Sequence, residues 1–234
     1  FVGRWLGDGW VRDGFRKDRP NGDGHGQIIL CDSYDKEKEL VDIVSKISEN
    51  YNIERCRTAV KIKFISQILC TWLVEHFGKG AMNKTIPAWV LSLPIEYRKC
   101  ILSGIIDSDG HSPKEHIVKI TSVSKRLVLG IRLLGESLGY TTSISHCKRP
   151  ENHVIEGRTV NQHDTYTVTL CNSCKRRTGI EADGHKWYKC RSVASAGETK
   201  RVYNFSVEED ESYVADSIVV HNCQDISCAG KQAG

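Results

Sequence analysis

The 234-residue sequence has no apolar run near the length of a membrane span and no secretory signal pattern. Its first residue is Phe1 rather than Met, which leads us to expect a piece of something longer or a processed chain. No Lys or Arg falls between residues 205 and 216, where Glu208, Glu209, Asp210, Glu211 and Asp216 all stand. Asp225 and Lys231 cancel beyond that stretch, so removing those five charges from the net +4 leaves +9 on residues 1–204. That excess is compatible with a polyanionic partner, and equally with a solvated surface of mixed charge.

A disulfide framework is also missing, despite ten cysteines. They are scattered from Cys31 to Cys228, in a chain long enough to bury a core without staples. Reduced thiols in an intracellular, cytoplasmic protein are expected. At 39% hydrophobic and 26% charged, the composition is that of an ordinary globular protein of one or two domains.

Two stretches resemble each other. With Gly3 of "FVGRWLGDGW" set over Gly104 of "ILSGIIDSDGH", Asp8 falls on Asp109 and Gly9 on Gly110. Each is an apolar helix-like run with a glycine inside it, closed by an acid and a second glycine. An internal glycine costs helix stability, so its use suggests two helix backbones in close approach. The segments downstream of the two motifs are alike as well. Strand-like "GHGQIILCDS" precedes a helix with Leu40, Ile43, Val44 and Ile47 at helical spacing, then "CRTAVKIKF" and a helix near 65–77. Strand-like "HIVKITSVS" precedes a helix with Leu127, Ile131, Leu134 and Leu138 on one face, then "YTTSISHC" and "DTYTVTLC". The expected fold class is α+β, with a pseudo-twofold unit of helix, strands, helix, strands, helix repeated after about a hundred residues.

Helices paired through small residues bring their C-terminal acids together. Asp8 and Asp109 then repel unless a cation lies between them. Mg²⁺ suits carboxylates, waters and phosphate oxygens, and metal ions so held stabilise the attacking and leaving oxygens of phosphodiester cleavage. Each Asp taken alone is simply the end of a helix; the in-register pair is what favours a metal site. Arg55, Arg57, Lys61 and Lys63 alternate in strand-like sequence, which places several cations on one sheet face.

"FVGRWLGDG" and "ILSGIIDSDG" resemble the two motifs of LAGLIDADG homing endonucleases, in the form those enzymes take inside inteins. "NKTIPAWVLSLPIEYRKCILSG" resembles the block before the second motif. The resemblance covers roughly residues 1–180. It implies that Asp8 and Asp109 bind the divalent metals, that Lys84 assists catalysis, and that the strands follow the major groove of double-stranded DNA. Arg4 interrupts the apolar run of the first motif.

From about residue 184 the texture changes to short β-rich runs, "KWYKCRSV", "RVYNFSV" and "SYVADSIVV". They end in His221-Asn222-Cys223. An Asn amide can attack its own backbone carbonyl and break the next peptide bond. A neighbouring His can help the leaving group, and a following thiol can first accept an acyl group. "RVYNFSVEEDESYVADSIVVHNC" resembles the C-terminal splicing blocks of inteins, which have the Hint fold. The resemblance implies that His221 assists, Asn222 cyclises and Cys223 begins the downstream host protein. Two positions depart from the family pattern: Glu211 stands where a His is usual, and Asn204 where an Asp often stands. The N-terminal splicing nucleophile and its Thr-x-x-His block cannot be placed, so a missing N-terminal intein segment is an expected partner.

The tail "CQDISCAGKQAG" resembles the region around the catalytic Cys of DNA cytosine-5 methyltransferases, making such an enzyme the expected host. The domain division is then 1–183 endonuclease, 184–222 splicing segment and 223–234 host sequence. Cys171 and Cys174, with His185 and Cys190 nearby, have a partial zinc spacing that also suits ordinary thiols. The alternative function is an insert that only binds DNA, or is purely structural.

Overall fold

The computed structural model describes residues 1–12, 26–149, 153–155, 158–160, 162–172, 179–182, 185–188, 211–215 and 218–221, with six single positions between 190 and 207. The chain divides into two compact units, Phe1–Cys174 and Lys175–Gly234.

The first unit is built twice over. Its first half runs α1 (Val2–Asp8), β1 (Trp10–Arg12), β2 (Gln27–Asp32), α2 (Glu37–Ser45), β3 (Tyr51–Arg55), β4 (Val60–Ile65) and α3 (Gln67–Phe77). The second runs α4 (Ile95–Asp109), β5 (Gly110–Lys114), β6 (Ile117–Ser122), α5 (Lys125–Ser137), β7 (Thr141–Cys147), the hairpin β8 (His153–Ile155) and β9 (Arg158–Val160), and β10 (Thr165–Cys171). The sheets are antiparallel with orders β1-β2-β4-β3 and β5-β6-β10-β7. Once the β8–β9 hairpin is set aside, these are the same order, and the duplication is visible in the topology. The halves differ in one respect from the expected repeat: among the described residues no helix follows β10. The sequence after Cys171 lacks the apolar 3.6-residue period that forms α3.

Alternation fixes which sheet face is apolar. On β4, Val60, Ile62 and Phe64 are buried while Lys61 and Lys63 point the other way. Leu40 and Val44 of α2, and Leu127, Ile131 and Leu134 of α5, are buried in the same core cluster. Ile47 departs from the expected α2 stripe, because the helix has ended before it and the residue is exposed. Ser66 and Ser124 cap α3 and α5, their hydroxyls accepting from the backbone N–H groups of Leu69 and Leu127.

At the centre α1 packs on α4, backbone against backbone. A Cβ on Gly3 would lie 2.2 Å from the Ile101 carbonyl oxygen, and one on Gly104 would lie 2.9 Å from the Arg4 nitrogen. No larger residue fits that crossing. Arg4, which interrupts the first apolar run, is buried and compensated. Its guanidinium bonds Asp32 on β2, Glu39 on α2 at 2.5 Å and the Asp107 carbonyl on α4 at 2.9 Å. The charge therefore ties three elements of the first half to the second.

The second unit contains two described hairpins, β11 (Gly179–Ala182) with β12 (His185–Tyr188) and β13 (Ser212–Ala215) with β14 (Ile218–His221). "SYVADSIVV", expected as one β-rich run, is two paired strands, with Ala215 opposite Ile218. The sequence-based division at 183/184 falls between the paired strands β11 and β12, whereas the compact units part at 174/175.

Candidate metal and nucleic-acid site

Asp8 and Asp109 are the last residues of α1 and α4, so the Gly3–Gly104 crossing carries both acids to one place. Gly7 measures how close they are: a Cβ there would stand 2.0 Å from Ser108 Oγ and 3.3 Å from Asp109 Oδ2. The Asp109 carboxylate thus lies against the last turn of α1, beside Asp8. Both helices also direct the negative ends of their dipoles here.

The electrostatics show the strain of this arrangement. Burial, then the negative charge of Asp8, pushes the Asp109 carboxyl up to about 6, against a smaller opposing effect of Lys84. Asp8 is raised as well, by burial first and by Asp32 second. Burial, and next the Asp8 charge, raises the Cys31 thiol. Two half-buried carboxylates that resist ionisation form a donor set that fits a divalent cation. Among the described residues, no group of three or more His, Cys, Asp or Glu side chains has metal-holding geometry, so the site rests on these two acids.

Lys84 is buried between the halves. Its ammonium donates to the carbonyl oxygens of Trp5 at 2.9 Å, Leu6 at 2.9 Å and Gly7 at 2.6 Å. Those are carbonyls of the last turn of α1; the Trp5 carbonyl also accepts from the Gly9 N–H at 3.0 Å, and Lys84 supplies a donor at the helix end for Leu6 and Gly7. Lys84 also lies over the Trp5 ring, 5.1 Å from its centroid. Burial lowers its pKa to about 8, with Asp109 and Asp8 pulling the other way. The segment is held from the second half too: Ser124 Oγ donates to the Lys84 carbonyl at 2.6 Å, and Gly130 leaves room for Ile86. With three donors on three acceptors, Lys84 acts on the acids through its charge and by fixing the end of α1.

Of the four cations singled out in the first sheet, Lys61 and Lys63 share the face turned from the core. Arg55 pairs in register with buried Val60, on the opposite face, and is bound to Glu37. Arg57 is exposed in the β3–β4 turn. The matching face of the second sheet carries Lys119 and a set of hydroxyls, with Thr121 and Thr167 in contact at 2.7 Å. Sequence reasoning missed Asp32, Glu39 and Glu54, whose partners Arg4, Lys61 and Lys63 are distant or on another strand.

Of the remaining expected site residues, His221 closes β14 opposite Ser212, and Asn222 and Cys223 lie outside the described residues. Cys174 also lies outside them, while Cys171 ends β10 and His185 begins β12. No helix among the described residues is long and apolar enough to cross a membrane.

Residues 85–199 match the family model described as homing endonuclease. The chain is 28% identical to the ATP-dependent DNA helicase Hel308 of Thermococcus kodakarensis, over 97% of this chain and 21% of the helicase. It is 23% identical to an iron-sulfur cluster assembly SufBD family protein of Mycobacterium leprae, over 94% of this chain and 28% of that protein. Against the homothallic switching endonuclease of Saccharomyces cerevisiae it is 25% identical, over 64% of this chain and 29% of the endonuclease. The chain thus spans less than a third of each of these relatives. The fold resembles that of I-DmoI in its complex with DNA and Mn, with a TM-score of 0.51 at 12% identity, covering 72% of this chain and 85% of that one. Residues 85–199, just under half of the chain, are thus similar to a homing endonuclease domain.

Proposed function

We propose that the chain is a fragment of an intein whose central domain makes site-specific double-strand cuts in DNA with divalent metal, Mg²⁺ in the cell. The observation that carries the proposal is the meeting of Asp8 and Asp109 at the ends of two helices whose backbones touch. Metal held there would stabilise the attacking and leaving oxygens of the phosphodiester. The chain's own parts in this are distinct. Asp8 and Asp109 hold the charge, Lys84 fixes α1, and the sheet faces with Lys61, Lys63 and Lys119 meet the duplex. I-DmoI, the solved relative in fold, was crystallised with DNA and Mn.

What supports the insert reading is the range of relatives. Nearly the whole chain matches a minor part of a helicase and of an iron-sulfur cluster assembly protein, whose names share no activity. A segment that recurs in unrelated proteins behaves as an insert. His221, Asn222 and Cys223 would complete its C-terminal excision, with Asn222 cyclising and Cys223 accepting the acyl group. The tail from Cys223 favours a DNA cytosine-5 methyltransferase as host.

Two experiments test the proposal. The chain and its Asp109→Asn variant are offered, with Mg²⁺, a plasmid carrying the uninterrupted methyltransferase sequence across the Cys223 junction, beside a scrambled control. Cuts at the junction that vanish in the variant are expected; equal cutting by both contradicts the assignment of Asp109. For the splicing part, the chain is expressed with an N-terminal intein segment. Release of the C-terminal fragment is expected, and its persistence in Asn222→Ala rules out cyclisation.

A further inference from the structure

We propose that Glu54 is a specificity-determining residue of the first sheet: its carboxylate restrains Lys61 and Lys63 and makes their reach to DNA depend on sequence. This rests on the reading of the chain as a DNA-cleaving domain.

Glu54 and Lys61 are direct cross-strand partners on β3 and β4, and Lys63 stands one pair along, opposite Asn52, on the same face. Glu54 bonds both lysines, one through each carboxylate oxygen, with the Lys61 contact at 3.7 Å. Lys61 is further placed 6.0 Å from the Trp10 ring centroid. The acid is the most exposed of the three, its side chain 43% accessible against 30% for Lys61 and 19% for Lys63. It is therefore open to an approaching duplex together with the cations it holds.

An exposed ion pair contributes little to folding, so stability does not explain this acid on this face. Its effect on binding is larger. Two free lysines would attract any phosphate backbone, and that attraction carries no sequence information. With Glu54 between them, each approach brings a carboxylate against the polyanion. The cost is relieved where the carboxylate finds a donor on a base edge. In the major groove the amino group of cytosine is the donor that suits it. Glu54 thus penalises wrong sequences more than right ones, a way of gaining selectivity by repulsion. The second sheet is built otherwise: β5, β6, β7 and β10 contain no Asp or Glu. Acid-gated selectivity therefore belongs to the half-site facing the first sheet.

The test compares the parent chain, Glu54→Gln and the double variant Lys61→Met/Lys63→Met. Each is checked for parental folding by circular dichroism. Binding to a random-sequence duplex is measured across a salt series, and preferred sites are selected from a random library. Glu54→Gln is expected to bind the random duplex about tenfold tighter at low salt, with a salt slope steeper by about one. Its selected sites should lose a cytosine at one position in favour of adenine, which suits a Gln amide. Random-duplex affinity, salt slope and selected sites all equal to the parent's would overturn the proposal, given a parent that binds and a double variant that binds less. If the parent binds no duplex at any salt concentration, the DNA reading itself fails, and the role of Glu54 with it.

Discussion

The Lys84 ammonium donates a 2.6 Å hydrogen bond to the carbonyl of Gly7, the residue just before Asp8. A side chain from the link between the halves thus closes the helix that presents one acid, and its charge lies near both. Replacing Lys84 with Met takes the lysine donor from the Leu6 and Gly7 carbonyls, while Trp5 keeps the Gly9 N–H, and should cost about 1–3 kcal/mol in urea denaturation. A purely structural role would end there. Because Lys84 holds the Asp109 carboxyl down, Lys84→Met should also move the Asp109 titration above about 6, read by carboxyl-carbon NMR. An unmoved midpoint contradicts the electrostatic part of its role.

Asp109 carries a stability cost that its removal reveals. Its carboxyl is raised from 3.8 to about 6, so the folded state binds the proton more tightly than the unfolded one. Its contribution is fully present below pH 3.8 and is lost as pH rises through about 6. At pH 7.5 without metal, Asp109→Asn should be more stable than the parent by about 1–3 kcal/mol. A midpoint in denaturant at or below the parent's contradicts this.

The same titration sets a pH dependence for function. Protonated carboxyls do not hold a divalent cation, so metal-dependent cleavage should fall as pH drops through about 6. The decline should shift to lower pH as the metal concentration is raised, because the cation competes with the proton. A profile independent of metal concentration speaks against Asp109 as a ligand.

Much of this was legible in the sequence, and for definite reasons. The two Gly-x-x-x-x-Asp-Gly spacings gave the duplication and the pairing of Asp8 with Asp109, because helical period and helix-ending glycine are local properties. Strand alternation gave the separate fates of Ile62 and Lys63. What stayed hidden depended on contacts distant in sequence. Arg4 looked like a break in an apolar run and is instead a buried cation held by Asp32 and Glu39. Arg55 looked like a partner of Lys61 but lies on the other face, since the turn at Arg57 reverses the chain between them. The repeat also suggested a third helix in the second half that no described element supplies.

The glycine crossing admits a simple test. Gly104→Ala introduces a Cβ 2.9 Å from the Arg4 nitrogen and 3.0 Å from the Gly3 Cα, so α1 and α4 must separate. Overpacking of this kind should destabilise the chain by about 1–3 kcal/mol. Cleavage should fall further than the fraction folded, because the acids part with the helices. Full activity in the folded fraction contradicts a site that depends on the crossing.

The central claim is that Asp8 and Asp109, one from each half, hold divalent metal jointly. The most direct measurement is Mn²⁺ binding by water-proton relaxation in the parent, Asp8→Asn and Asp109→Asn, each confirmed to be folded. Loss of the enhancement in both single variants is the predicted result. Retention of the parent's binding in either one would contradict a shared site.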